Sequence, residues 1–228
     1  MTLQISAYAT LVFDCDGVVL DSNRIKTEAF RAAAAPWGAA AAEALVTHHV
    51  ANGGISRYAK FAHFVEAILP EYAPGRIPGR DGPGLEALSS DFARAVREGL
   101  MSCAVAEGLA SLRAATPHAR WLIVSGGDQA ELREVFTARG LSDLFDGGVY
   151  GSPDTKDQIL EREIARGLIK KPALFLGDST YDHRAANQAG LDFLFVSGWT
   201  EVAGWQQYVE QHGLAHVGAI EDLVGSRS

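Results

Sequence analysis

The chain has 228 residues, enough for one large domain or a medium domain carrying a smaller one, and at 47% apolar residues it can build a substantial core. Its formal charge of -8 excludes a surface that holds nucleic acid or anionic lipid by bulk electrostatics, so any anionic ligand must be gripped by local devices. The two cysteines, Cys15 and Cys103, have neither metal spacing nor the density of a disulfide framework. No apolar run approaches the roughly 20 residues that span a bilayer, and MTLQISAYATLVFD lacks a basic flank and a long apolar core. A soluble protein of a reducing cytoplasm is expected.

The first β-rich run is TLVFD (10–14), leading into CDGVVLDS. Residues 23–97 then show no strand pattern. They are rich in Ala and other helix formers, with helical spacing over 27–35, 40–50, 57–68 and 85–97, and read as a helical domain inserted after the first strand. Inside it, PEYAPGRIPGRDGPG (70–84) holds four Pro and four Gly, too many for a regular element, and predicts an exposed loop. Four more runs come after it: RWLIVS (120–125), GGVYGS (147–152), ALFLGD (173–178) and DFLFVS (192–197). Between the later ones, 131–139, 157–166 and 182–189 have helical spacing. This alternation predicts an α/β fold, a doubly wound parallel sheet covered on both faces and formed by residues 1–22 and 98–228. Ligands of such sheets bind beyond the carboxyl ends of the strands. The first four runs each end in a polar residue there: Asp14, Ser125, Ser152 and Asp178.

Asp14 and Asp16 are two apart at a strand's end, so their side chains point the same way if the strand geometry persists, and Gly17 then permits a sharp turn. Asp-Gly is also a common turn former, so the pair takes its weight from three later segments. Ser125 precedes two glycines and a helix starting near Asp128, which together present a hydroxyl and backbone N–H groups to an anion; capping that helix is the simpler role for Ser125. Lys156 stands at a loop-to-helix boundary, where an isolated lysine is ordinarily solvated. Asp178 directly follows ALFLG, where an ionised group needs a partner, and Asp182 falls four residues on, at a helix start. If these strands are neighbours, four acids crowd one crevice. Two unit charges about 4 Å apart repel by roughly 4 kcal/mol at an effective dielectric near 20. Lys156 offsets one charge and a divalent cation two more, and oxygen-only ligands select Mg²⁺ over Zn²⁺.

Taken in order, Asp-x-Asp-Gly, Ser, Lys and Gly-Asp-Ser-x-x-Asp resemble the haloacid dehalogenase superfamily. The resemblance is to its branch with a helical cap after the first motif, which includes phosphoglycolate phosphatase and β-phosphoglucomutase. The motifs span residues 11–190, and FDCDGVVLDS is an especially close match. The resemblance implies that Asp14 is a nucleophile forming an aspartyl-phosphate, and that Asp16 protonates the leaving alkoxide and then deprotonates the attacking water. It also implies that Ser125 and the N–H of Gly126 hold phosphoryl oxygens while Lys156 neutralises the phosphate and Asp14. Mg²⁺ would be held by Asp14, the backbone carbonyl of Asp16 and Asp178, with Asp182 acting directly or through water. Asp16 narrows the choice, because the dehalogenases lack an acid there and the ion-pumping ATPases carry Lys-Thr-Gly after the nucleophile.

A phosphatase acting on a small phosphorylated metabolite, a sugar or polyol phosphate, is therefore expected. A phosphomutase is the rival; a non-catalytic protein on the same fold would have lost Asp14, Asp16, Lys156 or Asp178, and none is lost. HVANGGISRYAKF (49–61) is similar to the cap segment that reaches the active site in relatives, and offers Ser56, Arg57 and Lys60 to a polar substrate. The plainer alternative is a helix cap at Ser56 with solvated Arg57 and Lys60. Hinges for cap movement are expected near Ser22 and Arg97. His48 and His49 face different ways on a helix and make poor metal ligands, and Trp199 and Trp205 read as packing residues.

Overall fold

Runs of apolar, β-prone residues with no polar alternation form strands that need cover on both faces. In the computed structural model, which describes residues 4–224, they are β1 (Thr10–Phe13), β2 (Arg120–Asp128), β3 (Gly148–Ser152), β4 (Ala173–Gly177), β5 (Asp192–Val196) and β6 (Ala215–Val217). Residues 1–3 and 225–228, the outer ends of the expected core segments, lie outside the described residues. The sheet is parallel throughout, in the order β3-β2-β1-β4-β5-β6. Every residue of β1 and β4 is buried. Alternate side chains feed two cores: Leu11, Phe13, Trp121, Ile123, Leu174 and Leu176 on one face, and Val12, Leu122, Val124 and Phe175 on the other.

From β1 the chain winds outward through β2 to β3, then crosses to the other side of β1 for β4, β5 and β6. The reversal opens a crevice between the carboxyl ends of β1 and β4, the place where doubly wound sheets receive ligands. Phe13 is level with Leu176, and the Asp14 N–H donates to the Leu176 carbonyl at 2.9 Å. Asp14 and Asp178, the residues just past these strand ends, therefore meet at the crevice.

The inserted segment is helical: α1 (Asn23–Ala34), α2 (Ala39–Ala51), α3 (Arg57–His63), α4 (Leu69–Tyr72) and α5 (Leu85–Ser102). Phe30 holds it together, with ring centroids 4.3 Å from Phe92 and 5.1 Å from Phe61. The helix expected over 57–68 is in fact α3 followed by a π-helical turn, Phe64–Ile68. The Pro- and Gly-rich stretch is not wholly irregular, because its first residues belong to α4, where Pro70 occupies a first-turn position that costs no hydrogen bond. The rest is anchored by Trp37, whose Nε1 donates to the Pro83 carbonyl at 3.1 Å beneath the Arg76 guanidinium, 4.6 Å from the ring. α5 continues through Arg97 without a break.

Helices α6 (Leu109–Ala115), α7 (Gln129–Ala138), α8 (Lys156–Ala165), α9 (Thr180–Gln188) and α10 (Trp205–His212) accompany the sheet. β2 runs past Ser125 to Asp128, with a register shift between Val124 and Asp128, so the two glycines end a strand instead of forming a free turn. Asp128 then caps α7, accepting from the N–H groups of Ala130 and Glu131 at 3.0 and 3.1 Å. Trp205 stacks on Phe195 with centroids 5.9 Å apart, a packing role. No helix among the described residues is long and apolar enough to cross a membrane.

Candidate active site

Asp14 sits one residue past β1 and is 3% exposed. Its Oδ1 accepts from the Cys15 N–H at 2.7 Å, and its Oδ2 lies 2.8 Å from Lys156 Nζ. Lys156, the first residue of α8, is not solvated: it is 1% exposed and is paired with Asp182 as well as Asp14. Asp182 is held at the start of α9, where its Oδ2 accepts from the Ser179 N–H at 3.1 Å and hydroxyl at 2.7 Å. Asp178 follows β4, and its Oδ2 accepts from Asn23 Nδ2 at 2.7 Å. Gly17 makes room for this contact. Its φ is +75°, and a Cβ there would fall 2.1 Å from Asp178 Oδ2.

Asp14, Asp178 and Asp182 each offer a carboxylate oxygen within 4.8 Å of the others, all three residues buried. One ammonium, Lys156, serves this trio. Burial pushes Asp14 up to about 7 against the pull of Lys156, with repulsion from Asp182 and Asp16 adding to the rise. Burial, then Asp14 and Asp182, push Asp178 well above the usual carboxylate range. Burial works against the Lys156 ammonium, yet the two carboxylates beside it hold it above its ordinary value. Three close buried oxygens with a single counter-charge fit a hard divalent cation such as Mg²⁺.

Asp16 lies beside this trio and has its own cation. Ser22 Oγ donates to Asp16 Oδ1 at 2.5 Å, and Lys26 Nζ contacts Asp16 Oδ2 at 2.5 Å. Burial alone would raise Asp16, but the Lys26 charge and these hydrogen bonds outweigh it and hold the carboxyl below its usual range. Sequence reasoning misses Asn23 and Lys26. Their signal is their spacing, three apart in the first turn of the helix that comes after DGVVLDS, which puts both on the face turned to the crevice.

Gly126 and Gly127 line the cleft; Ser125 is fully buried behind them, and its Oγ accepts from the Gly127 N–H at 3.0 Å instead of capping α7. The cap closes over this edge. A Cβ at Gly126 would lie 2.1 Å from the Gly54 carbonyl oxygen. Of the cap residues, Ser56 caps α3, accepting from the Ala59 N–H at 3.4 Å. Arg57 and Lys60 line the cleft and are not solvated. Arg57 spans to the core in a two-pronged pair with Glu131, at 2.7 and 2.8 Å, with Asp128 3.7 Å away. Lys60 is 2% exposed, with Nζ 2.7 Å from His49 Nδ1.

A buried aspartate at a strand's end, a second acid beside it and a carboxylate trio can serve acyl or phosphoryl transfer, and comparison with known proteins narrows the family. No curated protein matches the sequence. A fold match at TM-score 0.71 and 17% identity is a predicted phosphoglycolate phosphatase from Haemophilus somnus, covering 95% of this chain and 96% of that one. A β-phosphoglucomutase from Clostridium difficile matches at TM-score 0.64 and 17% identity, covering 94% and 92%. The HAD-hydrolase YfnB from Bacillus subtilis, bound to magnesium, matches at TM-score 0.63 and 20% identity, covering 95% and 96%. The model of the haloacid dehalogenase-like hydrolases matches residues 8–190, four motifs and the intervening cap together, and the chain belongs to that family.

Proposed function

We propose that the chain is a Mg²⁺-dependent phosphatase of the cytoplasm that hydrolyses a small phosphorylated metabolite, a sugar or polyol phosphate. The observation that carries this reading is the buried Asp14 carboxylate, held from one side by a backbone N–H and from the other by Lys156, with Asp16 beside it. In the first half-reaction an Asp14 oxygen attacks phosphorus, the ester P–O bond breaks, and the protonated form of Asp16 gives its proton to the departing alkoxide. In the second, Asp16 takes a proton from water as the water oxygen attacks phosphorus, and the bond to Asp14 breaks. The carboxylate held by Lys26 and Ser22 is the form suited to this second half. The Gly126 N–H, Ser125 and Lys156 would hold or neutralise the phosphoryl oxygens.

The carboxylates of Asp14 and Asp178 and the carbonyl of Asp16, with Asp182 directly or through water, would hold Mg²⁺. When bound, it supplies positive charge to the phosphoryl oxygens. Residues 23–97 act as the cap, and closure of that cap would exclude water from the transfer. The test is Asp14→Asn with p-nitrophenyl phosphate and Mg²⁺. Turnover should vanish while the circular dichroism spectrum stays that of the wild type; undiminished turnover refutes the nucleophile. Release of inorganic phosphate from sugar phosphates, as opposed to an isomeric sugar phosphate, separates a phosphatase from a phosphomutase.

A further inference from the structure

Asn23 is the first residue of α1, and so of the inserted helical segment, but both of its amide hydrogens go to the sheet side of the cleft. Its Nδ2 donates to Asp178 Oδ2 at 2.7 Å and to the Trp199 carbonyl at 2.9 Å. Two acceptors on one nitrogen fix the orientation of the amide, because the flipped form would set its oxygen against a carboxylate and a carbonyl. The backbone is cleared for this contact: a Cβ at Gly17 would fall 2.4 Å from Asn23 Nδ2 as well as 2.1 Å from Asp178 Oδ2. A carboxylate has lone pairs for several partners, so the donated hydrogen bond does not cost Asp178 its place in the trio with Asp14 and Asp182. A lysine in the same position would neutralise Asp178 and compete with a divalent cation, and an aspartate would repel it. A neutral donor orients the carboxylate and leaves its charge for the metal.

We propose that Asn23 is the positioning residue for the Asp178 ligand, and that through it Mg²⁺ binding and the seating of the inserted segment on the sheet are linked. This rests on the metal site of the phosphatase reading and not on the hydrolysis itself. Loss of a group that orients a metal ligand typically costs about 10–100-fold in metal affinity. Here the orienting group belongs to α1 while the ligand follows β4. Lifting α1 from the sheet therefore removes the hydrogen bond and weakens the hold on the cation; by reciprocity a bound cation, in fixing Asp178, holds α1 down. Thr27, one turn further along α1, donates to Glu201 at 2.8 Å, a partner outside the trio, and so serves as the control.

The test titrates Mg²⁺ alone into the purified chain by calorimetry. Asn23→Leu keeps the side chain's volume and removes the donor; its Mg²⁺ dissociation constant should rise by about tenfold or more, while Thr27→Val, which loosens α1 elsewhere, should stay within about twofold of the wild type. Hydrogen exchange reads the reverse direction. In the wild type Mg²⁺ should slow exchange of the Lys26 and Thr27 amides, in the first turn of α1, by about fivefold or more, and in Asn23→Leu it should not. An unchanged constant in Asn23→Leu overturns the inference. So does an equal loss in Thr27→Val, the mark of a general loosening of the helix, or wild-type exchange indifferent to a cation that the chain binds. The wild-type exchange needs no variant and decides between the outcomes should Asn23→Leu not fold. A chain that binds Mg²⁺ in this Asn23-dependent way yet hydrolyses no phosphomonoester leaves the inference standing and removes the phosphatase reading; turnover of p-nitrophenyl phosphate with a Mg²⁺ constant blind to Asn23 does the reverse. A wild type that binds no Mg²⁺ removes both.

Discussion

Lys60 makes stability depend on pH in a way that can be worked out from its surroundings. Its ordinary value is 10.5, and burial followed by repulsion from Lys26 lowers it to about 7 in the folded chain. Below about pH 7 the folded and unfolded chains both carry the proton, and the full penalty of the buried charge is present. Between there and the ordinary value the unfolded chain binds more protons than the folded one, so folded-state stability rises with pH. Taking the two values together, wild type should gain about 3 kcal/mol on Lys60→Met between about pH 6 and about pH 9. Methionine keeps much of the stem's volume and removes the charge. His49, drawn down to about 2 by burial and then by Lys60, stays neutral across this window and adds no titration of its own. Urea unfolding of both proteins at several pH values measures the gap, and most other titrating groups cancel in the difference. A gap that stays constant, or that widens in favour of Lys60→Met as pH rises, would refute the claim that Lys60 is buried without an anion.

Two further outcomes concern the Asp14 end of the cleft. Mg²⁺ at about a hundred times its dissociation constant should stabilise the fold by about 2.7 kcal/mol, seen as a higher melting temperature, and Asp178→Asn should remove most of that shift; a wild-type melt indifferent to Mg²⁺ counts against the cation site. Gly126→Ala should push the Gly54 loop away, raising the radius of gyration in solution scattering and cutting turnover by up to about 100-fold. Unchanged scattering and turnover would mean that the loop does not seat there.

The sheet and its order of motifs are legible because buried parallel strands write themselves as unbroken apolar runs. TLVF and ALFLG fall within a residue of β1 and β4, with Asp14 and Asp178 at their ends. β6 escapes such a reading because three residues at a sheet's edge, two of them exposed, leave no apolar run. Helical spacing places the start of α1 four residues late, since Asn23 and Lys26 look like polar helix surface until the fold turns them onto Asp178 and Asp16. Lys156 illustrates the same gap: a lysine at a helix start is ordinarily wet, and only the meeting of α8, α9 and β1 makes it dry. Arg57 and Lys60 read alike in sequence, as polar groups awaiting a substrate. Chain spacing cannot reveal that Arg57 is already spoken for by Glu131 across the cleft while Lys60 has no ion-pair partner.

Helix α3 is seven residues long, yet one of its turns fastens the cap to the core and the next carries the lone ammonium. The residues proposed to act on phosphorus come from the sheet and its adjoining loops, none from α3. Related enzymes could therefore exchange one metabolite for another by altering a handful of positions on this short helix, leaving the hydrolytic machinery beneath it untouched.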